Sequence, residues 1–345
     1  MLASGAWLDR FRCEQGLDAV SVQLFTLSRN ILTPPNSNHS PRLRTLSSFS
    51  EQEFSAPSRL ALPAPRARSG PVLVAAHVFE VLVMLLGGYA LARIVRRGRD
   101  LPWALFGAGM LAFVFAEVAQ MGASNLIGWL QTEQLVPVPT RDDAPLYSML
   151  LTGAFTGLTL EPLRWFAIKR YVPDYRSHRS ALLVGAGAGA MEGILTAAVV
   201  AMMLVLALVF RGETMESLTA AGISGRTAVK VGLRVIAWWE ESPLGAILAA
   251  GEALVRLAFQ VASTCIVMVG VRRSAPGWLA LAVLLTSAFE TTCAWAAHPS
   301  SGLESGTAFA LVALGLPLSF GMIAVARTLS ARDGALEQPG EVAAA

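Results

Sequence analysis

Long apolar runs dominate the chain from about residue 71 onward, and short segments that carry most of the charge separate them. Each run holds about 20 residues or more, and a helix of that length crosses a hydrocarbon layer of roughly 30 Å. No segment alternates apolar and polar residues over the ~10 residues that a membrane β-strand requires. The pattern therefore predicts an all-α, polytopic membrane bundle of about seven transmembrane helices.

The boundaries of the apolar runs divide the chain into three parts. The predicted spans cover residues 71–94, 102–130, 146–168, 181–210, 245–271, 277–297 and 306–326. Residues 1–70 are rich in Ser, Pro and Arg and offer no apolar face, so we expect either a disordered extension or a non-native one. In the second case a shorter product would start at a codon such as that of Val72. The transmembrane domain then occupies 71–327, and 328–345 form a disordered tail.

Arginine clusters give the chain a predicted orientation. They follow the first, third, fifth and seventh spans, at 93–99, 170–179, 272–273 and 327. Basic residues concentrate on the cytoplasmic side of a membrane protein, so we expect a bacterial inner-membrane protein with a cytoplasmic C-terminus. Residues 229–240, which include Trp238 and Trp239, fit either an amphipathic segment on the membrane or a solvated loop with an aromatic anchor.

Composition supports the membrane assignment and excludes one class of partner. Hydrophobic residues make up 54% of the chain and charged residues only 15%, against roughly 25% charged in ordinary soluble domains. Only two of the 27 basic residues are lysine, and no basic stripe is interleaved with aromatic residues. We therefore expect membrane lipid around the chain and no nucleic-acid partner.

Six carboxylates interrupt the apolar runs and are the main candidates for chemistry: Glu80, Glu117, Glu161, Glu192, Glu252 and Glu290. A charge at membrane depth is costly, so these side chains should face the bundle interior. Only Arg164 and Arg256 lie within the spans as clear partners. Glu161 and Arg164 are three residues apart, while Glu252, Arg256 and Gln260 repeat every four, so each set lies on one helix face.

Small residues beside one of these acids predict close helix packing. Gly185, Gly189 and Gly193 repeat every four residues around Glu192. A phosphate-binding loop would need a preceding strand, which is missing, so the repeat indicates that a neighbouring helix approaches closely.

Histidine and cysteine usage argues against a cofactor or metal. The four histidines, His39, His77, His178 and His298, lie in the extension, at span ends or in a loop, and no HExxH motif occurs. The three cysteines have no CxxC spacing. A zinc site built on imidazoles or thiolates is therefore not expected, and no cofactor is predicted.

The order of these motifs resembles the YhfC family of intramembrane proteases, which is similar to the CAAX prenyl endopeptidases and to PrsW. The likeness covers about residues 75–327 and rests on four motifs, none specific alone. Leu160-Glu161-Pro162-Leu163-Arg164 resembles a Glu-Glu-x-x-Arg motif, and Gly185, Gly187, Gly189 and Glu192 resemble Gly-x-Gly-His-Gly-x-x-Glu. Glu252, Arg256 and Gln260 follow the order acid, Arg, His, and Thr286 with Glu290 resembles His-x-x-x-Asp. Span two, with Phe113, Gln120 and Asn125, also looks like the family's second helix.

Four substitutions separate the chain from the family pattern. Leu160 replaces the first Glu, and Ala188, Gln260 and Thr286 replace histidines. The resemblance implies that a carboxylate and a histidine activate water, so the best base for neutral pH is missing. We predict a polar cleft formed by Glu161, Arg164, Glu192, Arg256, Gln260 and Glu290, inactive or altered in peptide hydrolysis, that binds a transmembrane or lipidated protein. An active glutamic-type protease and a proton- or cation-coupled transporter are the alternatives.

Overall fold

The computed structural model describes residues 70–97, 100–140, 143–211, 225–297 and 305–333. Apart from Gly70, the predicted extension lies outside these residues, as does the chain beyond 333. The described part is helical without strands, which confirms the all-α prediction. Its helices are α1 (Gly70–Arg96), α2 (Trp103–Thr132), α3 (Ala144–Tyr171), α4 (His178–Val209), α5 (Gly225–Glu240), α6 (Pro243–Arg273), α7 (Pro276–Ala297), α8 (Ser305–Ala313) and α9 (Gly315–Arg332).

Five helices, α1, α2, α4, α6 and α7, are long and apolar enough to cross a membrane. This finding confirms a helical membrane bundle, while the count of seven spans stays a prediction. Helix α3 is long enough, but it carries Glu161 and Arg164 mid-helix and two basic residues in its last turn, which lower its mean hydropathy.

The last predicted span, 306–326, is two helices that meet at Leu314. Proline has no backbone N–H, so Pro317 cannot donate to the carbonyl of Ala313 four residues earlier, and the helix is interrupted there. Gly315 starts α9 against the ring of Phe289, where a side chain would collide. Helix α9 then continues to Arg332, beyond the predicted end of the domain at 327.

Helix α6 lies at the centre of the bundle. Of the apolar part of α6, 78% is buried inside the protein, against 28–39% for the other four apolar helices. Helices α1, α3, α4, α7 and α9 all pack on α6. The stacked rings of Phe259 and Phe289, 4.0 Å apart, join α6 to α7. Polar residues on α6 are therefore shielded from lipid and can contact several neighbours.

Glycines allow α4 to approach three helices closely. Gly185 and Gly189 face α6, as a repeat of four predicts, whereas Gly193 faces the carbonyl of Met84 on α1. The change of face follows from helix geometry, because eight residues rotate a helix by two turns and about 80°. Gly187 faces α2, where a Cβ would overlap the carbonyl of Phe106. Glu192 therefore lies between closely packed backbones.

The segment with paired tryptophans forms helix α5, and both rings pack against the bundle. Trp238 is buried beside Leu73 and Ala207, and its ring stacks on His77 at 4.7 Å. The Trp239 indole donates to the carbonyl of Ala207 at 3.2 Å. The segment is thus a helix and not a loop, while its position on the membrane stays a prediction, and both rings serve as packing groups.

Candidate functional site

The innermost polar group of the bundle is the ion pair between Glu161 and Arg164 on α3. Both side chains are completely buried, and Arg164 Nη1 lies 2.8 Å from Glu161 Oε1. The same oxygen accepts from Ser263 Oγ on α6 and from Thr286 Oγ1 on α7, each at 2.7 Å. Three helices thus supply the donors to one carboxylate oxygen, which fixes the side chain.

Gln260 connects this pair to a second carboxylate. Its Oε1 accepts from Arg164 Nη2, and its Nε2 donates to Glu192 Oε2 at 2.6 Å. An amide has both an acceptor and a donor, so it can bridge a guanidinium and a carboxylate, which a neutral imidazole does only in one tautomer. Gln260, which stands where the family pattern would place a histidine, is therefore part of a continuous series of hydrogen-bonded polar side chains.

Arg256 on α6 is the centre of the outer half of the network. Its Nη1 lies 2.8 Å from Glu290 Oε2 on α7 and 3.5 Å from Glu192 Oε1 on α4. Its Nε lies 3.0 Å from Glu252 Oε1, one turn earlier on α6. Three carboxylates therefore share one guanidinium.

The structure brings together every predicted site residue: Glu161, Arg164, Glu192, Arg256, Gln260 and Glu290. The two arginines account for four of the six in-span acids. Their role in any chemistry stays a prediction. The expected open cleft differs from the inner half of the network, because no part of the Glu161 or Arg164 side chain is exposed.

The other two of the six acids lie on α1 and α2. Glu80 on α1 pairs with His77 at 2.8 Å, and Glu241 lies 3.6 Å from the other ring nitrogen of His77. Glu117 on α2 is half-buried. Four of the six acids therefore pair with the two arginines, and Glu80 has a partner in His77.

Sequence reasoning missed Ser263, a direct partner of Glu161. A signal was available, because Ser263 follows Gln260 by three residues and extends the Glu252, Arg256 and Gln260 stripe along the same face of α6. A buried serine in an apolar helix is common, however, and its spacing does not reveal that α3 places a carboxylate opposite.

Comparison with known families matches the chain to the YhfC intramembrane metalloprotease family over residues 81–300. The match covers more than half of the 345 residues. The chain belongs to this family. The YhfC match confirms the resemblance and includes every residue of the central network. Comparisons with curated proteins and with solved structures give no match.

Two of the departures from the YhfC pattern meet in one apolar cluster. Leu160 and Ala188 are buried together with Phe113 and Ala116, where the resemblance would place a glutamate and a histidine. Helices α2, α3 and α4 all contribute to this cluster. The polar groups of these two positions have thus been replaced by hydrocarbon that packs as a unit.

The family description implies a metal, and the donor set tests whether one fits. Among the described residues, no group of three or more His, Cys, Asp or Glu side chains has an arrangement that could hold a metal ion. At the centre, Glu161 is paired with Arg164, while Glu192 and Glu290 are paired with Arg256. A cation there would face two guanidinium groups, and none of the network residues named above is a histidine, whose imidazole zinc prefers. The residues present do not fit a catalytic metal.

Proposed function

We propose that this chain is a YhfC-family membrane protein that has lost peptide hydrolysis and uses the family scaffold to bind a transmembrane or lipidated protein. The observation that carries the proposal is the environment of Glu161. Its Oε1 accepts from a guanidinium and two hydroxyls, and no imidazole lies in the network. Three donors occupy the lone pairs of this oxygen, which leaves it no free site at which to take a proton from water.

The replacements support loss of catalysis as a coordinated change. A general base for neutral pH is usually an imidazole or a carboxylate that a water molecule can reach. Gln260 and Thr286 stand at two of the resemblance's histidine positions and hydrogen-bond to members of the network. At the third, Ala188 packs in an apolar cluster with Leu160. Each replacement fits its surroundings, so the network is consistent as a structural element.

A partner from within the membrane agrees with what the scaffold offers. The outer surfaces of the apolar helices expose large hydrophobic side chains, among them Phe115, Leu126 and Leu158. Such surfaces recognise hydrocarbon and transmembrane helices through shape and small-residue contacts. The ligand class is therefore a membrane-embedded or lipid-modified polypeptide, as in the protease families that the chain resembles.

A reporter with a transmembrane segment and a second reporter with a prenyl group test both halves of the proposal. Each is co-reconstituted with the full chain, then scored for cleavage and for photo-crosslinking. We expect crosslinks to at least one reporter and no cleavage above a Glu161→Ala control. Cleavage by the wild type that the control lacks contradicts the loss of hydrolysis. Absence of crosslinks with both reporters contradicts the ligand class.

One observation favours a second function, an active glutamic-type protease. Glu161 Oε2 is buried and makes no hydrogen bond within the described part of the chain. A water molecule bonded to this oxygen could pass a proton to the carboxylate, which is the role of a general base. Wild-type cleavage that Glu161→Gln abolishes, while Glu252→Gln retains it, would establish this function.

The transporter alternative rests on the surplus of acids around Arg256. Three carboxylates for one guanidinium form a group that can exchange protons. Proteoliposomes that carry a pH gradient test this alternative. Dissipation of the gradient by the wild type but not by Glu192→Gln would support it, and equal rates would contradict it.

We also propose that the protein lies in the inner membrane with its C-terminus in the cytoplasm, because basic residues end α1, α3, α6 and α9. Ser274, which follows α6, is exposed and suits labelling as Ser274→Cys. In a background in which the native cysteines are replaced, an impermeant reagent should label this position only in inverted vesicles. Labelling from the outside of intact cells would reverse the orientation.

A further inference from the structure

Arg272 is a buried cation that has no hydrogen-bond acceptor among the described residues. It lies near the end of α6, at the end of the bundle where α1, α3, α6 and α9 finish, here named the arginine-rich end. Only 7% of the Arg272 side chain is exposed, and its Nε, Nη1 and Nη2 make no hydrogen bond to any described residue. A buried guanidinium has five N–H donors, so donors left unmatched indicate that an anion belongs there.

The nearest acid does not fill this role. Asp333 Oδ2 lies 3.7 Å from Arg272 Nη2, which is beyond hydrogen-bond length. Asp333 instead accepts from Arg273, at 3.1 Å from Nε and 2.9 Å from Nη2. The Asp333 carboxylate therefore bonds to the exposed Arg273, and the N–H donors of the buried Arg272 have no acceptor among the described residues.

The amino end of α4 lies in the same place. Helices α4 and α6 run in opposite directions, because Gly185 contacts Thr264 whereas Gly189, further along α4, contacts Leu257. The start of α4 therefore lies beside the end of α6, which carries Arg272.

Ser177 caps this 32-residue helix by accepting from the N–H of Ser180, and His178 is its first residue. The N–H groups of Ser180 and Ala181 both donate to Ser177, so an anion would meet the earlier part of this turn, at the positive end of the helix dipole.

We propose that Arg272 and the first turn of α4 form a binding site for a phosphate group. The guanidinium fork matches two phosphate oxygens, and a helix amino terminus adds N–H donors to the same anion. Arg176, which precedes the Ser177 cap, also has a buried Nε without a hydrogen-bond partner in the described chain. The excess positive charge of this end favours an anion over a neutral ligand.

Two sources supply a phosphate group at this depth: an anionic phospholipid headgroup and free phosphate. Basic sites between helices at a membrane surface bind such headgroups. The site stands apart from Glu161 and its network, so it requires neither presence nor absence of protease activity.

The test compares the full-length wild type with Arg272→Gln and Arg273→Gln. The second variant is a matched control, because the neighbouring arginine is exposed and has its own carboxylate. Binding of short-chain phosphatidylglycerol, of phosphatidylcholine of equal chain length and of inorganic phosphate is followed by the shift in melting temperature. We expect Arg272→Gln to weaken binding of the phosphate-bearing anion on the order of tenfold or more, with a smaller effect of Arg273→Gln.

The comparison of ligands distinguishes a phospholipid headgroup from free phosphate. Phosphatidylglycerol that binds more tightly than inorganic phosphate assigns the site to a lipid, and the reverse order assigns it to a free anion. Equal affinity of wild type and Arg272→Gln overturns the proposal. So does a wild type that binds neither phosphatidylglycerol in preference to phosphatidylcholine nor inorganic phosphate. If Arg272→Gln does not fold, Arg272→Lys, which keeps the charge without the planar fork, should still show measurably weaker binding.

Discussion

The pair Glu161 and Arg164 should behave as a structural unit that is more sensitive to single than to double substitution. Arg164→Met leaves a buried carboxylate without its cation, and breaking such a pair costs about 3–5 kcal/mol. Glu161→Leu leaves the buried guanidinium unpaired and should cost a similar amount. The double variant removes both charges and fills their place with hydrocarbon, which in buried pairs is often neutral or stabilising by about 1–4 kcal/mol.

The structure sets what the double variant still loses. Ser263 Oγ and Thr286 Oγ1 lie 3.3 Å apart, so the two hydroxyls can bond to each other once Glu161 is gone. Gln260 loses the donor of Arg164 but keeps its bond to Glu192. One lost hydrogen bond costs about 1–3 kcal/mol, which roughly offsets the gain. We therefore expect the double variant within about 2 kcal/mol of the wild type, with a coupling energy of at least about 3 kcal/mol.

Reversible unfolding in bicelles, followed by steric trapping, measures the free energy of unfolding of all four proteins. Far-ultraviolet circular dichroism checks that each variant keeps its helices. A double variant whose loss equals the sum of the two single losses would refute the reasoning. It would mean that the two groups do not stabilise each other and that the network is not a structural lock.

Two further predictions concern packing and charge. Gly109→Ala should destabilise the protein by about 1–3 kcal/mol or more, because the added Cβ would overlap the carbonyl of Val184. The control Gly122→Ala has open space around the added methyl group and should be neutral or stabilising. Equal changes in the free energy of unfolding in bicelles would contradict the close contact at Gly109. The hydrogen bond from Arg273 lowers the pKa of Asp333, so this contact stabilises the fold above the ordinary pKa of Asp and is lost as pH falls through the lowered value. The melting temperature of Asp333→Asn should therefore lie below that of the wild type at about pH 7 and approach it at about pH 3, and a gap that widens in acid would show the sign to be wrong.

Much of the site could be predicted from sequence because charge inside an apolar run is rare and expensive. The need to bury Glu161, Glu192 and Glu290 makes them interior residues before any fold is known. The spacing of Glu161 to Arg164 gives their pairing within one helix, which the structure contains at 2.8 Å. The spacing of these residues along a helix and the cost of burying their charges are thus enough to predict which residues belong to the network.

The connections between helices could not be predicted in the same way. Arg256 contacts Glu290 on α7, and Gln260 joins Arg164 to Glu192. Both contacts depend on how α3, α4 and α7 surround α6. Hydroxyl residues such as Ser263 carry no burial cost large enough to stand out in a sequence. The faces of the α4 glycines likewise depend on helix rotation, which a repeat of four does not determine over eight residues.

The break at Leu314 has a different origin. Hydropathy continues through 306–326 without interruption, so a window of span length includes Pro317 as one unremarkable position. The helix ends there because of a single missing N–H and the tight contact of Gly315 with Phe289. The missing N–H of one residue determines where the helix ends, and mean hydropathy over a window does not detect it.

The most direct test of the account is the rate at which purified wild-type protein cleaves a membrane-embedded reporter, compared with Glu161→Ala, each with added Zn²⁺ and with a chelator. The account predicts the same background rate in all four reactions, because Glu161 is held by Arg164, Ser263 and Thr286 and the donor set does not fit a metal. A wild-type rate that exceeds the Glu161→Ala rate, in either metal condition, would contradict the loss of hydrolysis.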